Sequence, residues 1–89
     1  MMNVRQVEKI VKGFANRRRI QILMIIENNP GITLYEIAQK AKIRFRNASE
    51  HTRKLAEAEL IVKKYKAQTV EHRLTDRGRK ALKFCRIIE

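Results

Sequence analysis

The stretch from Ile32 to Ile61 reads ITLYEIAQKAKIRFRNASEHTRKLAEAELI, and it predicts two short helices joined by a tight turn. Thr33 is suited to cap the first helix, because Glu36, three residues later, can reach back to the cap residue. Aliphatic and small residues then recur every three or four positions, which is the spacing of one helical face. We therefore expect a first helix from about Leu34 to Lys40.

The second helix of the pair is predicted from about Phe45 to Ala58, after a brief connection through residues 41 to 44. Its inward face is marked by Ala48, Thr52 and Leu55, which are spaced by four and three. At about 100° per residue, the outer face and its flanks carry hydrogen-bonding side chains, namely Arg46, Asn47, Ser49, Glu50, Arg53 and Lys54. Such side chains can bind base edges and phosphates, although charged outer faces are also usual on solvated helices. The pair is a candidate helix-turn-helix.

The chain is strongly basic for its length. In 89 residues, 21 Lys and Arg stand against 9 Asp and Glu, which gives a formal net charge of +12. This excess indicates an anionic partner, and nucleic acid is the commonest large one. A membrane surface would attract the same charge, but no apolar run approaches the roughly 18 residues of a membrane span, and nothing resembles a signal peptide. We expect one domain over residues 1–89, in the cytoplasm and associated with the nucleoid.

Two further helices are predicted before this stretch. Apolar residues spaced by three and four mark an amphipathic helix from about Asn3 to Lys12, which Gly13 should end or kink, and which either completes the core or pairs with a second copy. Asn16 is a suitable cap for the next helix, which should stop at the loop residues 28–31. Its first turn holds Arg17–Arg19, where the helix dipole disfavours cations. These arginines either bind a group outside the helix, such as phosphate, or are solvated.

After residue 60 the hydrophobic period changes from helical to strand-like. Residues 61–66 and 70–75 are rich in Val, Ile, Tyr and Thr and predict a β-hairpin. Ile32 is predicted to pair with it as a single extended residue. The bases on the hairpin are Lys63, Lys64, Lys66 and Arg73. They can reach phosphates or a minor groove, and lysines on exposed strands can equally serve to block edge pairing.

A last helix is predicted from the cap residues Thr75 or Asp76. Its apolar stripe is wide for so small a core and suggests self-association, with Ala81, Leu82, Phe84, Cys85, Ile87 and Ile88 as its members. Cys85 is the only cysteine, so it forms no internal disulfide. A small buried hydrophobe is the simplest interpretation, and a redox or intermolecular role is the alternative.

The order of these elements resembles that of winged helix-turn-helix domains, which are mainly α with a small β-hairpin. Such a domain has a three-helix core and a wing, here with flanking N- and C-terminal helices, the helix-turn-helix at about 33–58 and the wing at about 61–75. The resemblance is also local. FANRRRIQILMII (14–26) and RNASEHTRKLAEAELI (46–61) are similar to segments of ArsR-type regulators, and EHRLTDRGRKAL (71–82) is similar to a segment common to ArsR- and MarR-type proteins.

The resemblance implies a transcriptional regulator that binds double-stranded DNA as a homodimer, with its recognition helix in the major groove. We expect the dimer to form through the N- and C-terminal helices. The predicted DNA-binding residues are Arg44, Arg46, Asn47, Ser49, Glu50, Arg53, Lys54, Lys63, Lys64, Lys66 and Arg73. The alternative is a winged-helix module that binds nucleic acid non-specifically, including RNA, or docks to a transcription or replication assembly.

Two residues that flank the predicted recognition helix depart from the pattern of the resembled family, and the first residue of the helix has two possible positions. Arg44 stands where the family usually has a Ser or Thr helix cap, and Glu59 stands where it usually has a glycine. A glutamate adopts the left-handed conformation of that glycine poorly. Phe45 could touch a thymine methyl group, but its helical angle lies nearer the inward face and favours a core position.

Neither metal binding nor catalysis is predicted. The metal-sensing members of the resembled family use paired cysteines or acid and histidine ligands, and this chain has neither pattern. His51 and His72 are each alone in their segments, which favours surface or strand-packing positions. No paired carboxylates, Cys and His pair or Gly-rich phosphate loop is present. We therefore expect no metal, no cofactor and no enzymatic activity.

Overall fold

The computed structural model describes residues 1–89 as five helices and a three-stranded sheet. In chain order the elements are α1 (Val4–Phe14), α2 (Arg17–Asn28), β1 (Ile32–Thr33), α3 (Leu34–Ala41), α4 (Phe45–Glu57), β2 (Ile61–Lys66), β3 (Thr69–Leu74) and α5 (Asp76–Ile87). This order confirms the predicted winged helix-turn-helix fold. None of the helices is both long and apolar enough to cross a membrane.

The helix-turn-helix begins with the predicted capping box. The Thr33 hydroxyl accepts a hydrogen bond from the Glu36 N–H at 3.3 Å, and the Glu36 carboxylate accepts one from the Thr33 N–H at 3.0 Å. The Thr33 hydroxyl also lies 2.9 Å from the same carboxylate oxygen. The hydrogen bonds that the carboxylate accepts from the N–H and the hydroxyl of Thr33 hold the pKa of Glu36 below its ordinary value, so the carboxylate stays charged at the positive end of α3. Lys42 then adopts a left-handed conformation with φ of 56°, which reverses the chain towards α4.

The inward face of α4 is the predicted one. Ala48, Thr52 and Leu55 are completely buried, and they pack into a core whose largest buried side chains also come from α2 and α3, among them Ile22, Leu23, Ile26 and Ile37. The helix begins at Phe45, as predicted, although its first turn has no side-chain cap. The core therefore fixes which face of α4 remains in solvent.

The sheet has the order β1-β3-β2 and is antiparallel. Ile32 pairs with His72, which confirms the predicted pairing of an extended Ile32 with the hairpin. The hairpin loop is one residue shorter than predicted, because Thr69 pairs with Lys66 and begins β3. Ala67 makes this two-residue loop possible by adopting φ of 49°.

His72 ties the short strand β1 to β3 from inside the core. Its side chain is fully buried, and Nδ1 lies 2.9 Å from the carbonyl oxygen of Ile32. We assign the proton to Nδ1, which then donates to this carbonyl. Burial lowers the pKa of His72, while the hydrogen bond to Ile32 acts in the opposite direction. A neutral histidine inside the sheet confirms the strand-packing interpretation.

Two of the three arginines in the first turn of α2 bind the C-terminal ends of other helices. Arg18 donates to the carbonyl oxygen of Ala41 at 3.4 Å, at the end of α3. Arg19 donates to the carbonyls of Lys12 and Gly13 at 3.1 and 3.3 Å, at the end of α1. A cation is favourable at the carbonyls that end a helix. These two arginines therefore bind a group outside α2, as one of the two sequence-based alternatives expected. That group is the carbonyl end of another helix and not phosphate.

Contacts from Arg77 and Thr75 explain how α4 ends without a glycine. Glu59 adopts φ of 59°, and the N–H of Leu60 donates to the carbonyl of Leu55 at 2.9 Å. Arg77 binds the Glu59 carboxylate at 3.0 Å, and the Thr75 hydroxyl donates to the Glu59 carbonyl at 2.7 Å. These contacts hold Glu59 in a conformation that glutamate disfavours. The helix consequently ends where a glycine would have ended it.

The α1 helix runs through Gly13 to Phe14 and does not stop at Lys12 as predicted. A Cβ atom on Gly13 would lie only 2.5 Å from the Cβ of Ala58. The glycine thus allows α1 to approach the end of α4 closely, and Phe14 joins the core. At the other end of the chain, Arg86 on α5 forms a double ion pair with Glu27 on α2, at 2.6 and 3.1 Å.

Candidate nucleic-acid interface

The predicted outer face of α4 lies in solvent. Arg46, Asn47, Glu50 and Arg53 are exposed, and Ser49 is partly buried at the edge of this face. Neither Arg46 nor Asn47 uses its side chain in a hydrogen bond or salt bridge within the protein. The side chains best suited to read base edges are therefore free to do so.

The first turn of α4 has an uncapped, positive end. Arg44 occupies the cap position with φ of −67° and ψ of 146°, and its side chain makes no capping hydrogen bond. The backbone N–H groups of Phe45, Arg46 and Asn47 accordingly have no partner within the helix. Such donors, together with the helix dipole and the Arg44 guanidinium, form a favourable place for a phosphate group. Substitution of the usual Ser or Thr by Arg44 exchanges a cap for a positive charge.

Arg53 lies between two acidic residues of its own helix. Its guanidinium is 3.5 Å from the Glu50 carboxylate and 3.1 Å from that of Glu57, and all three side chains are more than half exposed. Ion pairs at such exposed sites are worth about 0 to 1 kcal/mol. A phosphate could therefore replace either carboxylate at little cost, and Arg53 remains a candidate for DNA contact.

The wing meets α4 at Lys63. This lysine is partly buried on the face of β2 that adjoins the core, where it pairs with His72. Burial and the neighbouring positive charge of Arg53 lower the pKa of Lys63. The structure thus places a basic residue of the wing near a basic residue of the recognition helix. A DNA phosphate bound there would offset the repulsion between the two positive charges.

The other three wing bases project from the opposite face of the hairpin, because side chains alternate along a strand. Lys64 and Lys66 are exposed, and Lys66 forms a 3.7 Å salt bridge with Glu71. The guanidinium of Arg73 lies over Gly31, where a Cβ would be 3.3 Å from its Nη2 atom. Arg73 is thus placed beside the loop between α2 and β1, and the structure does not bring it together with the α4 residues.

His51 lies on the flank of α4 that faces α2, and Lys54, three residues farther along the helix, is partly buried. Arg19 donates from Nε to the Nδ1 of His51 at 3.3 Å. Burial lowers the pKa of His51 first, and the charges of Arg19 and Lys54 lower it further. His51 is therefore neutral and holds Arg19 in place beside the end of α1. No group of three or more His, Cys, Asp or Glu that could hold a metal ion occurs in the structure.

This surface also contains two basic residues that were not predicted from the sequence, Lys40 and Lys42. Both are exposed, and neither takes part in a salt bridge. They alternate with Arg44 and Arg46 in the segment KAKIRFR, which spans the turn of the helix-turn-helix without an acidic residue. This alternation was the signal available in the sequence. It extends the basic surface from the end of α3 to the start of α4.

The favoured core position of Phe45 is wrong. Its side chain is 57% exposed, because the first residue of α4 precedes the turns that pack on the core. The ring lies at the mouth of a groove formed with α3, and a second concavity joins it to the end of the wing at Val70. Phe45 is consequently part of the surface that carries Arg44 and Arg46.

Comparison with known proteins decides the family. The model of the MarR family matches residues 15–67, which is more than half of the chain. The chain belongs to the MarR family. The matched region holds α2, the helix-turn-helix and the first strand of the wing. Family membership places the protein among DNA-binding transcription regulators and not among enzymes, as predicted. No curated protein matches the sequence significantly.

Solved structures share the fold of this MarR-family chain. The homodimeric winged helix-turn-helix DNA-binding domain of Mb0332 from Mycobacterium bovis, a possible ArsR-family regulator, has a TM-score of 0.86 at 20% identity, covering 96% of this chain and 79% of that one. NolR from Sinorhizobium fredii has a TM-score of 0.85 at 22% identity, covering 94% and 84%. The multiple antibiotic-resistance repressor MarR from Listeria monocytogenes gives 0.72 at 18% identity, covering 86% and 56%. The mixture of ArsR-type and MarR-type likenesses agrees with the local resemblances in the sequence.

Proposed function

We propose that this MarR-family protein is a sequence-specific DNA-binding transcription regulator that acts as a homodimer. In this proposal residues 1–89 act as one domain, α4 of each protomer enters the major groove, and the wing contacts adjacent phosphates or the minor groove. The observation that carries the proposal is the exposed N-terminal half of α4, where the side chains of Arg46 and Asn47 have no partner within the protein, beside the basic residues of the turn and of the wing. Such a protein works on the chromosome, in the cytoplasm and at the nucleoid.

The reading residues are assigned from hydrogen-bonding chemistry. Arg46 can bind the O6 and N7 of guanine with two hydrogen bonds, and Asn47 can bind the N6 and N7 of adenine in the same way. Glu50 can accept from the amino group of cytosine, and Ser49 can either donate or accept. All four lie in the first two turns of α4, where a helix that enters the groove by its N-terminal end meets the bases.

The positioning residues are the basic side chains that can reach phosphates. Arg44 and the uncapped N–H groups of α4 suit one phosphate, while Arg53 and Lys54 lie farther along the same helix. The wing supplies Lys63, Lys64, Lys66 and Arg73. Contacts of this kind fix the register of the protein on the duplex without carrying sequence information. Mutation of a positioning residue should therefore weaken binding to all duplexes alike.

The dimer is proposed to form through α1 and α5. Both helices expose large apolar side chains, with Val4, Val7, Val11, Phe84, Ile87 and, just after α5, Ile88 between 43% and 86% exposed. Apolar residues exposed together on terminal helices favour burial against a second copy, and the similar domain of Mb0332 is homodimeric. Two-fold symmetry then requires a nearly palindromic DNA site with half-sites about one helical turn apart.

The dependence of DNA affinity on salt tests the electrostatic part of the proposal. If the dimer neutralises about six phosphates, log affinity should fall against log salt concentration with a slope of about −5. Replacing Lys63 and Lys64 by Ala should make the slope shallower by roughly 0.9 for each phosphate that the variant no longer neutralises. Arg5→Ala is the matched control, because Arg5 is exposed on α1 and makes no salt bridge. A wild-type slope near zero would contradict the proposal.

The dimer interface is tested by placing charge on both terminal helices. Val4 and Ile87 are 86% and 70% exposed, so the double variant Val4→Glu with Ile87→Glu should fold as the wild type does. We expect sedimentation equilibrium to give a dimer mass for the wild type and a monomer mass for the variant. Val62→Glu makes the same change at an exposed apolar residue of the wing and should remain dimeric. A double variant that stays dimeric would exclude this interface.

A further inference from the structure

Phe45 is an exposed aromatic ring in the middle of the proposed DNA-binding surface. It is the first residue of α4, between the bases Arg44 and Arg46. Burying a phenylalanine side chain contributes about 1.5 to 3 kcal/mol, and the core of this protein does not use it, since more than half of the ring is in solvent. The ring is therefore available to a partner that approaches the start of α4.

The groove beside Phe45 has an apolar floor and a basic rim. It is lined by Tyr35, Ala38, Gln39, Lys42, Ile43 and Phe45, with no acidic residue among them. Tyr35 is 55% exposed and contributes a second ring. Neither Lys42 nor the flanking Arg44 and Arg46 is neutralised by a salt bridge. The ligand that fits this groove is therefore a polyanion, which the basic rim attracts, that also presents a small apolar group to the floor.

Duplex DNA presents one such group in its major groove. Thymine carries a C5-methyl group on that edge, and no other unmodified base does. Aromatic and aliphatic side chains that wedge between base pairs do so from the minor groove, whereas α4 is placed in the major groove. A methyl contact is therefore the interaction open to an aromatic residue at the start of this helix.

We propose that Phe45, supported by Tyr35 and Ile43, packs against the C5-methyl group of a thymine in each half-site. This makes Phe45 a specificity residue that selects an A·T pair at the position met by the first turn of α4. The inference rests on the proposed function, because it requires α4 to lie in the major groove. It adds an apolar contact to the hydrogen-bonding set of Arg46 and Asn47, and it assigns a role to the groove between α3 and α4.

Deoxyuridine provides the test, because it differs from thymidine only by the missing methyl group. Each thymine of the selected DNA site is replaced in turn by deoxyuridine, and the affinity is measured by fluorescence anisotropy. For the wild type we expect one symmetric pair of positions at which a single replacement weakens binding about fourfold, and replacement of both together about sixteenfold, since each buried methyl is worth about 0.8 kcal/mol. Replacement at the other thymines should have little effect.

Variants assign the effect to the ring. Phe45→Ala should bind the thymine and deoxyuridine duplexes equally, and its fold should be intact because the side chain is exposed. Arg46→Ala should bind both duplexes more weakly while keeping the wild-type ratio between them. The inference is overturned if no deoxyuridine position affects the wild type, if Phe45→Ala keeps the full ratio, or if the selected half-site contains no thymine. In each of these cases salt-dependent binding to the selected duplex would persist, whereas failure of the proposed function would abolish it.

Discussion

Replacing Arg46 and Asn47 together by alanine is expected to lower the affinity for the selected DNA site by more than about a hundredfold. A bidentate contact between a side chain and a base discriminates by about 1 to 3 kcal/mol, and a dimer makes each such contact twice. The variant should then keep only a small part of its preference for the selected site over random duplex, which for specific binding is typically about 10³ or more. Fluorescence anisotropy on both duplexes measures the two affinities.

The fold should survive this double substitution. Both side chains are exposed, and neither makes a hydrogen bond or salt bridge within the protein. Urea unfolding of the variant should therefore stay within about 0.5 kcal/mol of the wild type. A matched control is Arg5→Ala with Asn28→Ala, which removes the same two residue types from exposed positions on α1 and α2. The reading role of α4 is contradicted if the double variant keeps its preference for the selected site.

Gly78→Ala is expected to cost at least about 3 kcal/mol of unfolding free energy, at the upper end of what overpacking usually costs. A Cβ on Gly78 would lie 2.1 Å from the carbonyl oxygen of Leu60 and 3.2 Å from its carbonyl carbon. Both are backbone atoms at the entry to β2, so no side chain can rotate away. The α5 helix would have to move away from Leu60. That movement would strain the hydrogen bond that the Thr75 N–H, just before α5, donates to the same carbonyl at 3.2 Å.

Helix propensity alone predicts the opposite change in the free energy of unfolding. In a helix free of such a contact, replacing glycine by alanine stabilises by about 1 kcal/mol. Urea unfolding followed by circular dichroism measures the difference directly. Lys80→Ala, at an exposed position on the same helix, should change the free energy of unfolding by less than about 0.5 kcal/mol. A Gly78→Ala variant more stable than the wild type would show that the close approach of α5 to Leu60 is wrong.

Local periodicity and capping rules were sufficient for the helix-turn-helix. Thr33 and Glu36 form the capping box that their spacing predicts, and the inward face of α4 follows from residues three and four apart. The pairing of an extended Ile32 with the hairpin was also predicted, and the structure adds Thr33 to the same strand. The capping box and the inward face depend on neighbours in sequence, for which the physical rules are strong.

Features that depend on distant contacts were not accessible. The contact of Gly78 with Leu60 and the hydrogen bond from Arg18 to the end of α3 join residues far apart in sequence, and the hydrogen bond from Arg19 to the end of α1 depends on how α1 packs against α2. The left-handed Glu59 was recognised as unfavourable, but its stabilisation by Arg77 requires α5 to be in place. Phe45 was assigned to the core because a helical angle ignores where the helix begins.

If α4 of a dimer reads a DNA sequence, duplexes selected by binding from a random pool at about 0.15 M salt should share that sequence. We expect a nearly palindromic consensus, with half-sites about 10 base pairs apart, in which the positions read by Arg46 and Asn47 lose their preference when the double variant of these residues is used. Enrichment of duplexes without any consensus, unchanged in that variant, would contradict the reading role of α4.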